Sequence, residues 1–103
     1  MSELDHANAW TSGSGNLCIP TTDGRHFSVN GRLWRMSDPR LSVERNAELR
    51  KQLMTGMRMK ARGSTEEGKA VVQDAKLRLG ERGTPWWELD RPYDAEHPVS
   101  PIP

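Results

Sequence analysis

The sequence has only one cysteine, Cys18, so the chain can form no internal disulfide. A lone thiol is typical of proteins from reducing compartments, and we therefore expect a cytoplasmic protein. Long apolar runs are absent as well. No stretch approaches the roughly 20 apolar residues that a membrane helix needs, and residues 1–5 lack the basic start and apolar run of a secretory signal. The composition thus argues against a membrane partner.

Residues that bind metals or activate nucleophiles are equally scarce. The three histidines, His6, His26 and His97, are far apart, and no C-x-x-C or H-x-x-x-H pattern occurs. The glycine pair in residues 13–15 neither follows a predicted strand nor opens a predicted helix, as a phosphate-binding loop requires. Cys18 lies in a predicted tail. We therefore expect no metal, no cofactor and no enzymatic activity.

Apolar residues make up only 34% of the chain, and they are unevenly distributed. Nearly all the large ones lie between Phe27 and Trp87. Residues 1–24 and 88–103 are instead dominated by Ser, Thr, Gly, Pro and acidic residues, a composition typical of disordered tails. The sequence therefore predicts one small domain over residues 25–87, between two tails without a core of their own.

The first predicted element of this domain is a β-hairpin. The loop at residues 30–31 is Asn-Gly, which tolerates the positive φ angles of a type I′ turn and is flanked by alternating runs. Because a two-residue loop fixes the register, we expect Phe27 to pair with Trp34 and Val29 with Arg32. A two-stranded ribbon is only marginally stable alone, so the hairpin must pack on another element.

Two helices follow the hairpin. Ser37-Asp38-Pro39 provides cap-like residues and a proline suited to a first helical turn, and Ser42 is a second plausible N-cap before a long run without proline. We predict a first helix over residues 43–61. The S-x-x-E sequence at residues 64–67 has the form of a capping box and predicts a second helix over residues 65–79. This helix ends at Gly80 or Gly83, either of which can take the left-handed C-cap. The short connection makes the two helices antiparallel.

Helical periodicity predicts which residues form the core. In the first helix, the apolar residues within one arc are Val43, Ala47, Leu53, Met54, Met57 and Ala61. In the second helix, they are Val71, Val72, Ala75 and Leu79. Arg50 projects within the first arc, and it is either a snorkelling or carboxylate-paired side chain or an arginine presented to a ligand.

The second helix is followed by the pair Trp86 and Trp87. Adjacent side chains of an extended segment point to opposite sides, so we expect one ring to be buried in the core and the other to be partly exposed. Taken together, the elements predict an α+β fold in which an N-terminal β-hairpin packs on an antiparallel two-helix hairpin, with disordered tails.

The net charge of +1 hides an uneven distribution. Residues 25–83 contain 14 Lys or Arg against 7 Asp or Glu, whereas residues 1–24 and 84–103 each carry −3. A basic body between acidic ends is typical of a nucleic-acid-binding surface, although solvated helices show the same pattern. The cations that we predict to contact phosphates without base specificity are Arg32, Arg35, Lys51, Arg58, Lys60, Arg62, Lys76, Arg78 and Arg82.

An alternative partner is another protein, bound by an adaptor surface of exposed Trp and Met side chains. Flexible thioethers suit adaptable contact surfaces, and Met59 points away from the predicted apolar arc. Trp87 is the second candidate, as the ring of the Trp pair that could be exposed. Met59 and Trp87 are therefore the predicted partner-binding residues.

Several motifs resemble those of a family of small bacterial proteins. They are the sequences VNGRLWR at residues 29–35, SDP at 37–39, DAKLRLGERG at 74–83 and PWW at 85–87. Some members of that family carry a name that links them to Tol-type biopolymer transport, but the family has no assigned activity. The resemblance therefore implies a small bacterial accessory protein and no particular reaction. The sequence departs from the family pattern at Arg50, where an apolar residue is expected.

Overall fold

The computed structural model describes residues 3–98. The chain divides into two compact units, Met1–Met36 and Ser37–Pro103. The described part of the first unit is built around an antiparallel sheet, and that of the second unit around two packed helices and a short third one. The predicted α+β fold class is therefore confirmed.

The first unit contains more structure than we predicted. Its sheet has four antiparallel strands in the order β1-β2-β3-β4. The strands are β1 (Trp10–Thr11), β2 (Leu17–Pro20), β3 (His26–Val29) and β4 (Arg32–Arg35), and a 3-10 turn, His6–Asn8, precedes them. Residues 3–24 therefore differ from the predicted disordered tail, because they supply two strands: β2 pairs with the hairpin, and β1 pairs with β2.

The hairpin between β3 and β4 has the predicted register. Phe27 pairs with Trp34 and Val29 with Arg32. Asn30 and Gly31 both have positive φ angles, of 50° and 78°, as a type I′ turn requires. The Asn-Gly loop thus sets this register as the sequence indicated.

Strand β2 explains how the hairpin is stabilised within the first unit. Cys18 pairs with Val29 and is buried, and Trp10 reaches from β1 to pack its ring 5.5 Å from that of Phe27. The buried Thr21 closes the β2–β3 turn, since its Oγ1 accepts a hydrogen bond from His26 N at 3.1 Å. Two further strands give the ribbon the neighbours that an isolated hairpin lacks.

The two long helices of the second unit have the predicted bounds. They are α1 (Val43–Ala61) and α2 (Thr65–Leu79). The Ser42 side chain accepts a hydrogen bond from Arg45 N at the start of α1, and Gly80 ends α2 with a φ of 83°.

The predicted capping box at the start of α2 does not form. The Ser64 side chain makes no capping hydrogen bond, and the Ser64 amide donates to Met59 O at 3.0 Å. Because the turn between the helices is short, the Ser64 amide donates its hydrogen bond to the end of α1 and is not available to the Glu67 side chain.

The core face of α1 differs from the predicted arc. The buried residues of α1 are Leu49, Leu53 and Gly56. Of the predicted arc only Leu53, at its edge, is buried, and the centre of the buried face lies about 110° around the helix from Val43 and Ala61. The buried residues pack against α2, whose predicted face is confirmed: Val71, Val72, Ala75 and Leu79 are all buried.

Close approach of the helices explains this choice of face. A Cβ atom on Gly56 would lie 2.8 Å from a methyl group of Val72 and 3.0 Å from the carbonyl oxygen of Gly68. A larger residue at position 56 would hold the helices apart. Apolar content alone predicts that the methionine-rich face of α1 forms the core. The face that carries Gly56 packs on α2 instead, because it lets the backbones of the two helices come into contact.

The second unit continues beyond α2. A 3-10 turn, Trp86–Glu88, and a one-turn helix α3, Tyr93–Glu96, follow. Residues 88–98 therefore differ from the predicted disordered tail, and α3 contacts α2. The rest of the predicted tails, residues 1–2 and 99–103, lies outside the described residues.

Candidate functional site

The C-terminal half of α1 carries the most exposed positive charge of the second unit. Residues 49–65 contain five Lys or Arg and no Asp or Glu. All five have exposed side chains, but Arg50 is paired with Glu81. We call the other four the α1 basic surface: Lys51, Arg58, Lys60 and Arg62. Within residues 3–98, none of the four forms an ion pair with a carboxylate.

Helix geometry places three of these cations in one row. Lys51, Arg58 and Arg62 fall within an arc of about 40° and span about 16 Å along the axis. Arg58 Nε donates to the carbonyl oxygen of Met54 at 3.4 Å, so its guanidinium keeps most of its donors for solvent or a ligand. Lys60 lies on the side toward α2, where its stem passes Gly68. The row can meet several anionic groups spaced along a polymer.

Arg78 must be removed from the predicted phosphate-binding set. Its side chain is only 2% exposed. Arg78 Nε donates to both carboxylate oxygens of Asp74, at 3.1 and 3.0 Å, and Nη1 donates to Asp94 at 2.8 Å. All of this charge is neutralised inside the second unit, so Arg78 has a structural role.

Asp94 connects α3 to both long helices through this network. It accepts two hydrogen bonds from Arg45, at 2.8 and 2.9 Å, in addition to the one from Arg78. The hydrogen bonds from Arg45 lower the pKa of Asp94, against the effect of partial burial, and the hydrogen bond from Arg78 lowers it further. We call Arg45, Asp74, Arg78 and Asp94 the ion network; it attaches α3 to the helical pair.

The remaining predicted cations lie on other elements. Arg82 is exposed and donates to the side-chain oxygen of Gln73, while Lys76 is half-buried on α2. Arg32 and Arg35 belong to the first unit. Arg32 is exposed, and its Cζ atom lies 4.9 Å from the centre of the Trp34 ring, a cation–π contact. Of the nine predicted residues, the structure thus groups four on α1.

The interpretation of Arg50 as a paired side chain is confirmed. Its guanidinium forms an ion pair with Glu81, which follows the end of α2. Arg50 is therefore not counted in the α1 basic surface, although it lies on the same helix.

The predicted partner-binding residues are less exposed than their neighbours. Met59 is half-buried, whereas Met54 and Met57 are 52% and 48% exposed. Trp86 and Trp87 are both half-buried and meet edge to face, with ring centres 5.2 Å apart. The expected division into one buried and one exposed ring is therefore wrong, because the two rings cover each other.

Sequence reasoning missed an arginine that organises the second unit. Arg40 makes a two-point contact with the buried carboxylate of Asp38 and also donates to the carbonyl oxygens of Trp86 and Leu89, at 2.8 and 2.9 Å. The hydrogen bonds to Asp38 raise the pKa of Arg40. The Asp-Pro-Arg sequence indicates a turn at Asp38, but no local pattern indicates carbonyl acceptors almost 50 residues away.

A cleft of about 270 Å³ lies between the end of α2 and the segment that follows it. Its lining is Leu77, Gly80, Arg82, Gly83, Thr84, Trp86, Leu89 and Tyr93. A side chain at Gly83 would press on Leu77, since a Cβ atom there would lie 2.9 Å from it. The volume is slightly below the range of about 300–1,000 Å³ for small-molecule sites, so the cleft can hold at most a small apolar group beside Arg82.

Residues 3–98 contain no group of three His, Cys, Asp or Glu side chains that could hold a metal ion. Over the same residues, no helix has the length and apolar character needed to cross a membrane. Comparison with protein-family models, curated proteins and solved structures gives no match to this chain.

Proposed function

We propose that this protein is a small accessory protein without chemistry of its own that binds nucleic acid through the α1 basic surface. The observation that carries the proposal is the set of four exposed cations without carboxylate partners in the described residues. Contacts of this kind neutralise phosphates and do not depend on base sequence. A cytoplasmic location fits the proposal, and the free buried thiol of Cys18 supports it.

The proposal predicts binding that depends steeply on salt. If all four cations contact phosphates, the slope of log K against log salt is about −2.8 for a single strand and about −3.6 for a duplex. Raising salt from about 50 to about 200 mM then weakens binding roughly 50-fold and roughly 150-fold, respectively. Fluorescence anisotropy with labelled single-stranded and duplex oligonucleotides measures both slopes.

A matched pair of variants locates the surface. Arg58→Gln removes one cation of the α1 basic surface, so the salt slope is expected to fall by about one contact. Arg91→Gln removes an exposed arginine that is already paired with Glu96, and the slope is expected to stay unchanged. Absence of binding at low salt would refute the proposed function, and equal effects of the two substitutions would refute the assignment to α1.

A second candidate function, that of a protein-binding adaptor, is favoured by the exposure of Met54 and Met57. Large exposed side chains of this kind are typical of adaptable contact surfaces. The adaptor function predicts a partner protein whose recovery in a pull-down is lost on Met54→Glu/Met57→Glu. Recovery that survives this change would exclude α1 as the contact surface.

A further inference from the structure

The exposed face of α1 has a regular spacing that neither binding proposal explains. Six residues follow one another at intervals of four, three, four, three and four positions, and we call them the outer seam: Val43, Ala47, Arg50, Met54, Met57 and Ala61. This is the a/d repeat of a coiled coil, continued over the whole helix. Val43 is 83% exposed, and all six side chains lie on the surface.

The outer seam is separate from the contact between α1 and α2. It is turned by about 110° from the face of Leu49, Leu53 and Gly56 that packs on α2. A second helix can therefore lie along the seam without displacing α2. Single exposed apolar residues are ordinary on a protein surface, but a continuous a/d row is the pattern of a helix that pairs with another helix.

The seam fits a second copy of itself when the two helices run in opposite directions. Antiparallel pairing places a positions against d positions, so that Val43 meets Ala61 and Ala47 meets Met57 of the other copy. Each of these outer layers then combines a larger side chain with a smaller one. The central layers place Arg50 against Met54, and the guanidinium of Arg50 is held by Glu81, which leaves its aliphatic stem on the seam.

Parallel pairing fits less well. Equivalent residues would then meet across the seam, which would bring two Arg50 side chains together and oppose Ala47 to Ala47. A repeated contact of like charges is unfavourable, and the small layers would leave gaps.

Charges beside the seam favour the same orientation. Glu44, Lys51 and Arg58 flank it at seven-residue intervals on one side. In the antiparallel arrangement Glu44 of each copy lies near Arg58 of the other, which gives two attractive pairs, and only Lys51 lies near its own equivalent. The acidic start of α1 in one copy thus lies beside the basic end of α1 in the other copy.

We propose that the protein forms a two-fold symmetric dimer in which the outer seam of α1 packs antiparallel on the outer seam of a second copy. The contact is isologous, so it closes after two copies and does not extend into a fibre. The seam itself contains none of Lys51, Arg58 and Arg62, which lie beside it on α1, so association can be tested in the absence of nucleic acid.

Sedimentation equilibrium of the full chain over a range of concentrations tests association. We expect the mass to rise from the monomer value of 11.6 kDa toward twice that value. Met54→Glu/Met57→Glu should restore the monomer mass at every concentration. The control Leu17→Glu/Leu33→Glu changes two leucines of similar exposure in the first unit and should leave the dimer intact. Arg50→Met removes the one charge from the seam and should shift association to lower concentrations.

Crosslinking tests the orientation. Positions 47 and 57 are about 15 Å apart along one helix, so cysteines there can be joined only between copies. Under mild oxidation, a mixture of Ala47→Cys and Met57→Cys chains should form a disulfide-linked dimer, whereas either variant alone, like the wild type with its buried Cys18, should not.

Two results would overturn the proposal. A monomer mass at all concentrations for both the wild type and Arg50→Met would exclude the dimer. Crosslinking of Ala47→Cys chains with themselves would exclude the antiparallel arrangement. Either result can occur with nucleic-acid binding intact, so failure of the dimer is distinguishable from failure of the proposed function.

Discussion

Replacing Gly68 with alanine tests whether α1 and α2 pack closely. The substitution should destabilise the protein if the helices are closely packed and stabilise it if they are not. In an exposed helix, Gly→Ala stabilises by about 0.5–1 kcal/mol through helix propensity. Here a Cβ atom would lie 2.6 Å from Lys60 Cγ, 2.7 Å from Gly56 O and 2.8 Å from Lys60 N. Two of these three atoms belong to the backbone of α1, so they cannot move without shifting the helix.

The expected magnitude follows from these contacts. Overpacking a well-packed site costs about 1–3 kcal/mol, and three contacts below 3.0 Å place Gly68→Ala in the upper half of that range. Alanine's higher helix propensity offsets part of this cost, so the free energy of unfolding should fall by about 1–2 kcal/mol. Lys69→Ala, at the exposed neighbouring position, should change it by less than about 0.5 kcal/mol.

Urea unfolding followed by the helical circular dichroism signal measures this change, since both long helices belong to the second unit. A double variant, Gly68→Ala/Lys60→Ala, separates the contacts further. Removing the Lys60 side chain relieves only one of the three short contacts, so stability should stay well below that of the wild type. A Gly68→Ala protein as stable as the wild type, or more stable, would refute the close approach of α1 and α2.

The other predictions concern the groups that attach the chain after α2. The pKa of Asp94 is lowered in the folded protein, so its stabilising contribution is complete above its ordinary value of 3.8 and is lost as the pH falls through the lower folded value. Asp94→Asn should therefore reduce stability by about 1–2 kcal/mol at neutral pH and flatten the decline below about pH 4, measured by urea unfolding; an unchanged acid profile would contradict this role. Arg40→Gln should speed chymotryptic cleavage at Trp86 and Trp87, because it removes the hydrogen bonds to the carbonyls of Trp86 and Leu89, whereas Arg91→Gln should not.

Local sequence signals were sufficient to predict the hairpin and both long helices. The Asn-Gly loop, the Ser42 cap and the glycine after α2 each act within a few residues, so the sequence alone indicates them. The choice of Gly80 over Gly83 as the C-cap comes from the structure. Strands β1 and β2 carry no comparable signal. They are short and are bordered by Ser, Gly and Pro, and they become strands only through pairing with other segments: β2 pairs with β3, about ten residues away along the chain, and β1 pairs with β2.

The same distinction explains the error in the core of α1. Periodicity finds the face with the largest apolar side chains, and that face carries Met54 and Met57. Close packing instead selects the face with Gly56, because Gly68 of α2 must fit against it. A glycine contributes nothing to an apolar count, so a rule based on hydrophobicity cannot detect it.

The candidate site shows why total charge is a poor guide to a binding surface. Residues 25–83 carry a net charge of +7, but Arg40, Arg45, Arg50 and Arg78 are paired with carboxylates in the folded chain. Two of these pairs join residues more than 30 positions apart, which no sequence pattern reveals. The informative signal is local instead. Between Glu48 and Glu66 no acidic residue occurs, and within residues 3–98 the four cations of the α1 basic surface form no ion pair with a carboxylate, so they can contact an external anion.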